Sequence, residues 1–120
     1  MTKVNYISVA KKSAAIQIKE LKKINKVFNK NFVKAVDIIH KAKGKVVCSG
    51  VGKSGLIARK VSASLSSVGI SSFFLDPNSA IHGDLGQIDK RDVLIVFSYS
   101  GNTSESVSYT HLRAHETFAN

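Results

Sequence analysis

Residues 93–97, Val-Leu-Ile-Val-Phe, are apolar without a break. A strand with one wet face alternates apolar and polar residues. Five apolar residues in a row therefore predict a strand buried on both faces, as in a parallel sheet covered by helices. The runs "KVVCSG" (45–50) and "SSFFLD" (71–76) read as two further strands. Between them, residues 54–68 read as a helix whose Ala58, Ser62, Ala63 and Ser66 allow close approach to a sheet, with Gly69 as its stop. Upstream, Ala14, Ile18, Leu21, Ile24 and Phe28 recur at helical spacing. Asn31 is the expected cap of a second helix carrying Phe32, Ala35, Val36 and Ile39, which Gly44 ends as a C-terminal residue tolerant of positive φ. A loop with Pro77 leads through "IHGDLGQIDKRD" to the third strand, and "YSGNTSE" turns into another helix. This order predicts an α/β fold: a three-layer αβα sandwich around a parallel, flavodoxin-like sheet, truncated after its third strand.

Composition removes several function classes. The chain has 120 residues, 43% of them hydrophobic, which suits one folded domain. No run approaches the roughly 20 apolar residues of a membrane span. The opening "MTKVNYISVAKK" lacks the apolar block and small-residue cleavage site of a secretory signal. The single Cys48 lies in an apolar run and has no internal disulfide partner, so a reducing, cytoplasmic setting is expected. The net charge of +10 is concentrated in residues 1–44, which hold eleven lysines against Glu20 and Asp37. With no arginine and few aromatics among those lysines, they read as a solvated helix face; neither nucleic acid nor membrane is expected as a partner.

The stretch "VVCSGVGKSGLIARK" (46–60) resembles two kinds of phosphate loop. A nucleotide P-loop needs G-x-x-x-x-G-K-[ST], and the position of its first glycine is Val47, inside the strand. Gly50-x-Gly52-x-x-Gly55 does have the spacing of a dinucleotide fingerprint, and Asp76 stands at the end of the second strand. Lys53 and Ser54 inside the loop favour a smaller, more highly charged phosphate ester. Common to all readings is the physics of the turn. Gly50 and Gly52 let the backbone bend sharply at the carboxyl end of a parallel strand. The first N–H groups of the next helix, the Ser54 hydroxyl and the Lys53 ammonium then face the crevice there.

A second loop decides between them. "FSYSGNTSE" (97–105) follows the third strand and places Ser98, Ser100, Asn102, Thr103 and Ser104 around Gly101. Hydroxyls and backbone N–H groups at a helix start make a neutral anion cradle, suited to a sugar phosphate monoester and needing no metal or other cofactor. One such residue would read as a turn or cap; four hydroxyls opposite a Gly-Lys-Ser loop point to binding.

The motifs "GVGKSG", "HGDLG" and "SYSGNTSE", in that order, resemble those of the SIS (sugar isomerase) domain and, within it, the arabinose-5-phosphate isomerases. The resemblance covers residues from about 10 to 105. It implies interconversion of D-arabinose 5-phosphate and D-ribulose 5-phosphate, supplying the lipopolysaccharide sugar Kdo or related capsule sugars, in a homo-oligomer (dimer or tetramer). It also implies that Lys53, His82 and Glu105 are catalytic and that Gly52, Ser54 and the 98–104 loop bind substrate. Asp84 is expected to cap the turn through Gly83 and Gly86. A non-catalytic SIS module that senses a sugar phosphate stays open as the alternative.

Residues 107–117, "VSYTHLRAHET", carry no consistent apolar stripe and resemble one reading frame of a sequencing adapter. On this reading, residues 1–44 are the N-terminal helices of the domain, 45–105 the first half of its sandwich, and 106–120 a non-native tail. His111 and His115 are then not a metal pair. Because the resemblance places further acidic and histidine groups outside this segment, the 120 residues alone are expected to be inactive.

Overall fold

The structure, a computed structural model, describes residues 3–81 and 83–99. The chain divides into two compact units, Met1–Asp37 and Ile38–Asn120.

In the first unit, Asn5 starts helix α1 (Tyr6–Lys22): its side-chain oxygen accepts the Ser8 N–H at 3.1 Å. Lys19 and Lys22 occupy the last turn, where the helix dipole favours cations. The expected stripe through Ile24 and Phe28 does not stay on one α-helix. The backbone tightens into a 3-10 segment, Lys23–Val27, and Phe28 leaves helical geometry. That tightening changes the residues per turn and breaks the phase of the stripe. The cap of α2 (Lys30–Lys41) is Asn29, not Asn31: Asn29 Oδ1 accepts the N–H groups of Asn31 and Phe32 at 3.0 and 3.2 Å. The earlier start seats Phe32 edge-on against Phe28, with ring centroids 5.0 Å apart.

The second unit is built on three parallel strands in the order β2-β1-β3. They are β1 (Val46–Gly50), β2 (Ser72–Leu75) and β3 (Val93–Phe97). The expected parallel α/β arrangement is the one observed. Strand β1 is buried at every position. Strand β3 is less covered than its composition predicts, half-buried at four positions and exposed at Val96. Among the described residues it pairs on one side only, as an edge strand does.

Alternation sends side chains to two separate clusters. Val46 and Cys48, with Phe74 and Ile95, pack against Ala58, Val61 and Leu65 of α3 (Gly52–Ser67). Val47, Leu75 and Leu94 pack against Ala80 of α4 (Pro77–Ile81) and against Ile88. Helices thus cover both faces. The geometry of the order requires it: the β1-to-β2 and β2-to-β3 connections run in opposite directions across the sheet, and connections of one hand then lie on opposite faces.

The helix ends follow local chemistry. Ile70 N–H donates to Leu65 O and Gly69 N–H to Ser66 O, at 3.0 and 3.1 Å, so α3 closes in a Schellman motif around left-handed Gly69. Gly44, by contrast, is not left-handed. Its N–H donates to Arg91 O at 2.9 Å, and a Cβ there would stand 2.6 Å from the Arg91 carbonyl carbon. Glycine is needed at that point for close approach. The Pro77 segment, expected as loop, forms α4. Asp76 caps it, its Oδ1 accepting Asn78 N–H at 3.0 Å, and Pro77 takes the first helical position, where a missing N–H costs nothing.

Candidate functional site

Strand register determines what can meet at the carboxyl edge of the sheet. Gly50, the last residue of β1, pairs with Phe97, the last of β3. The loop 51–54 and the segment beginning at Ser98 therefore leave the sheet side by side.

The turn from β1 into α3 is unusually tight. A Cβ on Gly50 would lie 2.9 Å from both Phe97 O and the Ser54 backbone, and one on Gly55 would lie 2.6 Å from Gly50 O. These two glycines let the helix start directly on the strand end. Gly52 has φ +58° with open space where a Cβ would be, so its requirement is conformational. Val51 is the cap position, extended and with no side-chain acceptor. The opening N–H groups of α3 therefore have no side-chain cap and carry the positive end of a sixteen-residue helix. Lys53 is exposed and Ser54 half-buried in that turn. Such a place favours an anion by ordinary electrostatics.

Gly52, Lys53, Ser54 and Ser98 are thus brought to one edge, with Ser98 half-buried at the exit of β3. His82, Ser100, Gly101, Asn102, Thr103, Ser104 and Glu105 lie outside the described residues, as does the 106–120 segment. Asp84 lies in a 3-10 turn, Asp84–Gln87, after left-handed Gly83.

Beside the loop is a cavity of about 230 Å³, lined by Gly52, Leu56, Arg59, Phe74, Asp76 and Asn78 among others. Arg59 lies over the Phe74 ring, 4.0 Å from its centroid, a cation–π contact that holds the guanidinium at the wall. Sequence reasoning does not single out Leu56, Arg59, Phe74 or Asn78. Gly52, Gly55, Leu56 and Arg59 do follow i, i+3, i+4, i+7 spacing, which marks one helix face. Asp76 has one carboxylate oxygen committed to its cap; its second oxygen and the Asn78 side chain have no partner among the described residues. No three His, Cys, Asp or Glu side chains gather into a metal-holding group among the described residues.

Two buried polar features serve the fold. Ser49 donates to Leu75 O at 2.5 Å, tying β1 to β2 below the loop. Asp92 accepts Lys45 N–H at 2.7 Å and Asp89 N–H at 2.9 Å at the opposite end of the sheet. No described helix is long and apolar enough to cross a membrane.

Comparison with known proteins returns a consistent set. A family model described as SIS domain matches residues 38–116, beginning where the second compact unit begins. Arabinose 5-phosphate isomerase GutQ of Escherichia coli (strain K12) is 40% identical over 99 residues, which are 82% of this chain and 31% of that protein. The protein of the same name from Salmonella typhi is 39% identical over the same shares. Among solved structures, an Escherichia coli CFT073 protein in complex with arabinose 5-phosphate matches with a TM-score of 0.77 and 35% identity, over 94% of this chain and 62% of that one. A Listeria monocytogenes (str. 4b F2365) structure matches with a TM-score of 0.79 and 29% identity, over 95% and 62%. The chain spans about a third of the length of the curated relatives it matches.

Proposed function

Because the chain belongs to the SIS domain family, we propose that it is part of a sugar-phosphate aldose–ketose isomerase that interconverts D-arabinose 5-phosphate and D-ribulose 5-phosphate. The observation that carries the reading is the uncapped first turn of α3, opened by left-handed Gly52 and set by register beside the exit of β3. Similarity to the GutQ proteins and to a structure in complex with arabinose 5-phosphate supports the choice of substrate.

In this reading the phosphate rests on the N–H groups and hydroxyls of Gly52, Ser54, Ser98, Ser100, Gly101, Asn102, Thr103 and Ser104. Lys53, His82 and Glu105 act on the carbon chain. Isomerisation removes the proton from C2 of the aldose, passes through an enediol, and returns a proton to C1 as the C2 hydroxyl becomes the ketone. Glu105 is the proton shuttle. The Lys53 ammonium stabilises the charge that develops on the enediolate oxygen. His82 assists ring opening and proton transfer near neutral pH. The product pair serves synthesis of Kdo or capsule sugars in the cytoplasm, and the working form is a homo-oligomer.

The test is exchange of the C2 proton of arabinose 5-phosphate with deuterium oxide, followed by proton NMR. The full-length protein carrying this segment is expected to exchange and interconvert the two sugars, and the 120-residue chain to bind without turnover. Binding without exchange by the full-length protein would favour the sensor module, and no binding at all would overturn both readings.

A further inference from the structure

The cavity beside the glycine loop has a size and lining that the phosphate-binding role does not use. At about 230 Å³ it is smaller than the roughly 300–1,000 Å³ of pockets for drug-sized ligands. A five-carbon chain is the right scale.

The lining has the mixture a polyol needs. Each sugar hydroxyl both donates and accepts, so a polyol seat requires acceptors and donors close together. Among the described residues, Asp76 offers one unengaged carboxylate oxygen and Asn78 an unengaged amide, and Arg59 a guanidinium held against Phe74. Leu56 and Phe74 supply apolar wall for the C–H faces. Charge also sets direction. Arg59 and Asp76 offset each other in the lining, so the cavity offers a phosphate no net charge, whereas the α3 N-terminus, on the β3 side, adds the helix dipole and the Lys53 ammonium. The carbon chain then points toward β2.

We propose that this cavity seats the hydroxyl-bearing chain of the sugar phosphate, and that Asn78 and Asp76 are specificity-determining residues that read its hydroxyls. The inference rests on the sugar-phosphate reading of the loop and adds the part of the ligand that the loop does not hold. Asp76 caps α4 and Asn78 lies in its first turn, so the start of the helix that carries Ala80 into the core presents both groups to the ligand.

The experiment is a two-ligand titration of the nitrogen-15-labelled 120-residue chain, following the amides of Lys53 and Ser54 with inorganic phosphate and with arabinose 5-phosphate. The chain should prefer the sugar phosphate by about tenfold, the scale of one or two hydrogen bonds. Asn78→Ala should reduce that preference about fivefold and leave phosphate affinity unchanged, which also reports an intact fold. Asp76→Asn keeps the capping oxygen and should reduce the preference similarly. If both variants retain the full preference, the cavity is not the sugar seat and the proposal falls while the loop reading stands. If the unaltered chain responds to neither ligand, the functional reading falls and takes this one with it.

Discussion

The carbonyl oxygen of Gly50 lies 2.6 Å from the point a Cβ would occupy on Gly55. Both atoms belong to rigid backbone, one at the end of β1 and one in the first turn of α3, so neither can move aside cheaply. Gly55→Ala is expected to destabilise the second unit by about 1–3 kcal/mol, the usual range for overpacking. Urea unfolding monitored by circular dichroism measures it; an unchanged midpoint would show that the helix can lift without cost.

Gly52 presents the opposite case. Nothing crowds it, but its φ of +58° costs an L-residue about 1–2 kcal/mol. Gly52→Ala should lower stability by that amount and weaken arabinose 5-phosphate binding, while Gly52→Asn should lose less of each. Equal losses for the two variants would argue against a backbone origin.

Asp92 joins the amino ends of β1 and β3 by accepting two backbone N–H groups, far from the glycine loop. Asp92→Ala leaves two half-buried donors without this acceptor, at a cost of about 1–3 kcal/mol in all. Thermal unfolding should shift downward while phosphate affinity below the transition stays the same. A loss of affinity with no loss of stability would mean that Asp92 communicates with the site.

Burial in the sheet raises the Cys48 thiol above its ordinary value, and the Ser72 hydroxyl only partly opposes this. The native thiol is therefore protonated and slow to react at pH 8, where an exposed cysteine near its ordinary value of about 8.5 reacts readily. A thiol-disulfide reagent should label the chain much faster in urea than in buffer. Because the folded value is raised, the associated stability is fully present below the ordinary thiol value. It is lost as pH rises through the raised one. Equal labelling rates would mean that β1 opens easily.

The Arg91 side chain hydrogen bonds to Asp89 and, with the Arg91 backbone N–H, holds that carboxyl below the usual carboxylate value. Its contribution is present above the ordinary value of about 3.9 and fades as pH falls through the depressed one. Arg91→Ala should raise the Asp89 midpoint in an NMR titration yet barely alter thermal stability, since the pair is exposed. A large thermal shift would contradict the surface assignment.

How much of this is legible in the residues varies with the origin of the signal. The three strands and the Gly69 stop are, because buried runs and a glycine after a helix are local patterns. The tight β1–α3 turn is as well: three glycines at that spacing have few other uses. The cap of α2 is harder, because Asn29 and Asn31 are chemically equal candidates and the choice depends on Phe32 reaching Phe28. Gly44 misleads because its need for a missing side chain comes from Arg91, which is remote in sequence. Asp76-Pro77 does carry a helix-start signal, hidden by the shortness of α4. The cavity is invisible in the sequence, since Arg59, Phe74 and Asn78 come together only once the sheet forms.

The central position of β1 also orders events in time. Its link to β2, through Ser49 and Leu75, closes over 26 residues, whereas its link to β3, through Lys45 and Asp92, closes over 47. Chain closure is harder over the longer span, and synthesis proceeds from the amino end. On the ribosome, β1, α3 and β2 can therefore assemble, with the glycine turn already formed, before the residues that bring β3 alongside have emerged. The nascent chain holds a finished, uncapped helix N-terminus while the free side of β1 still awaits its second neighbour.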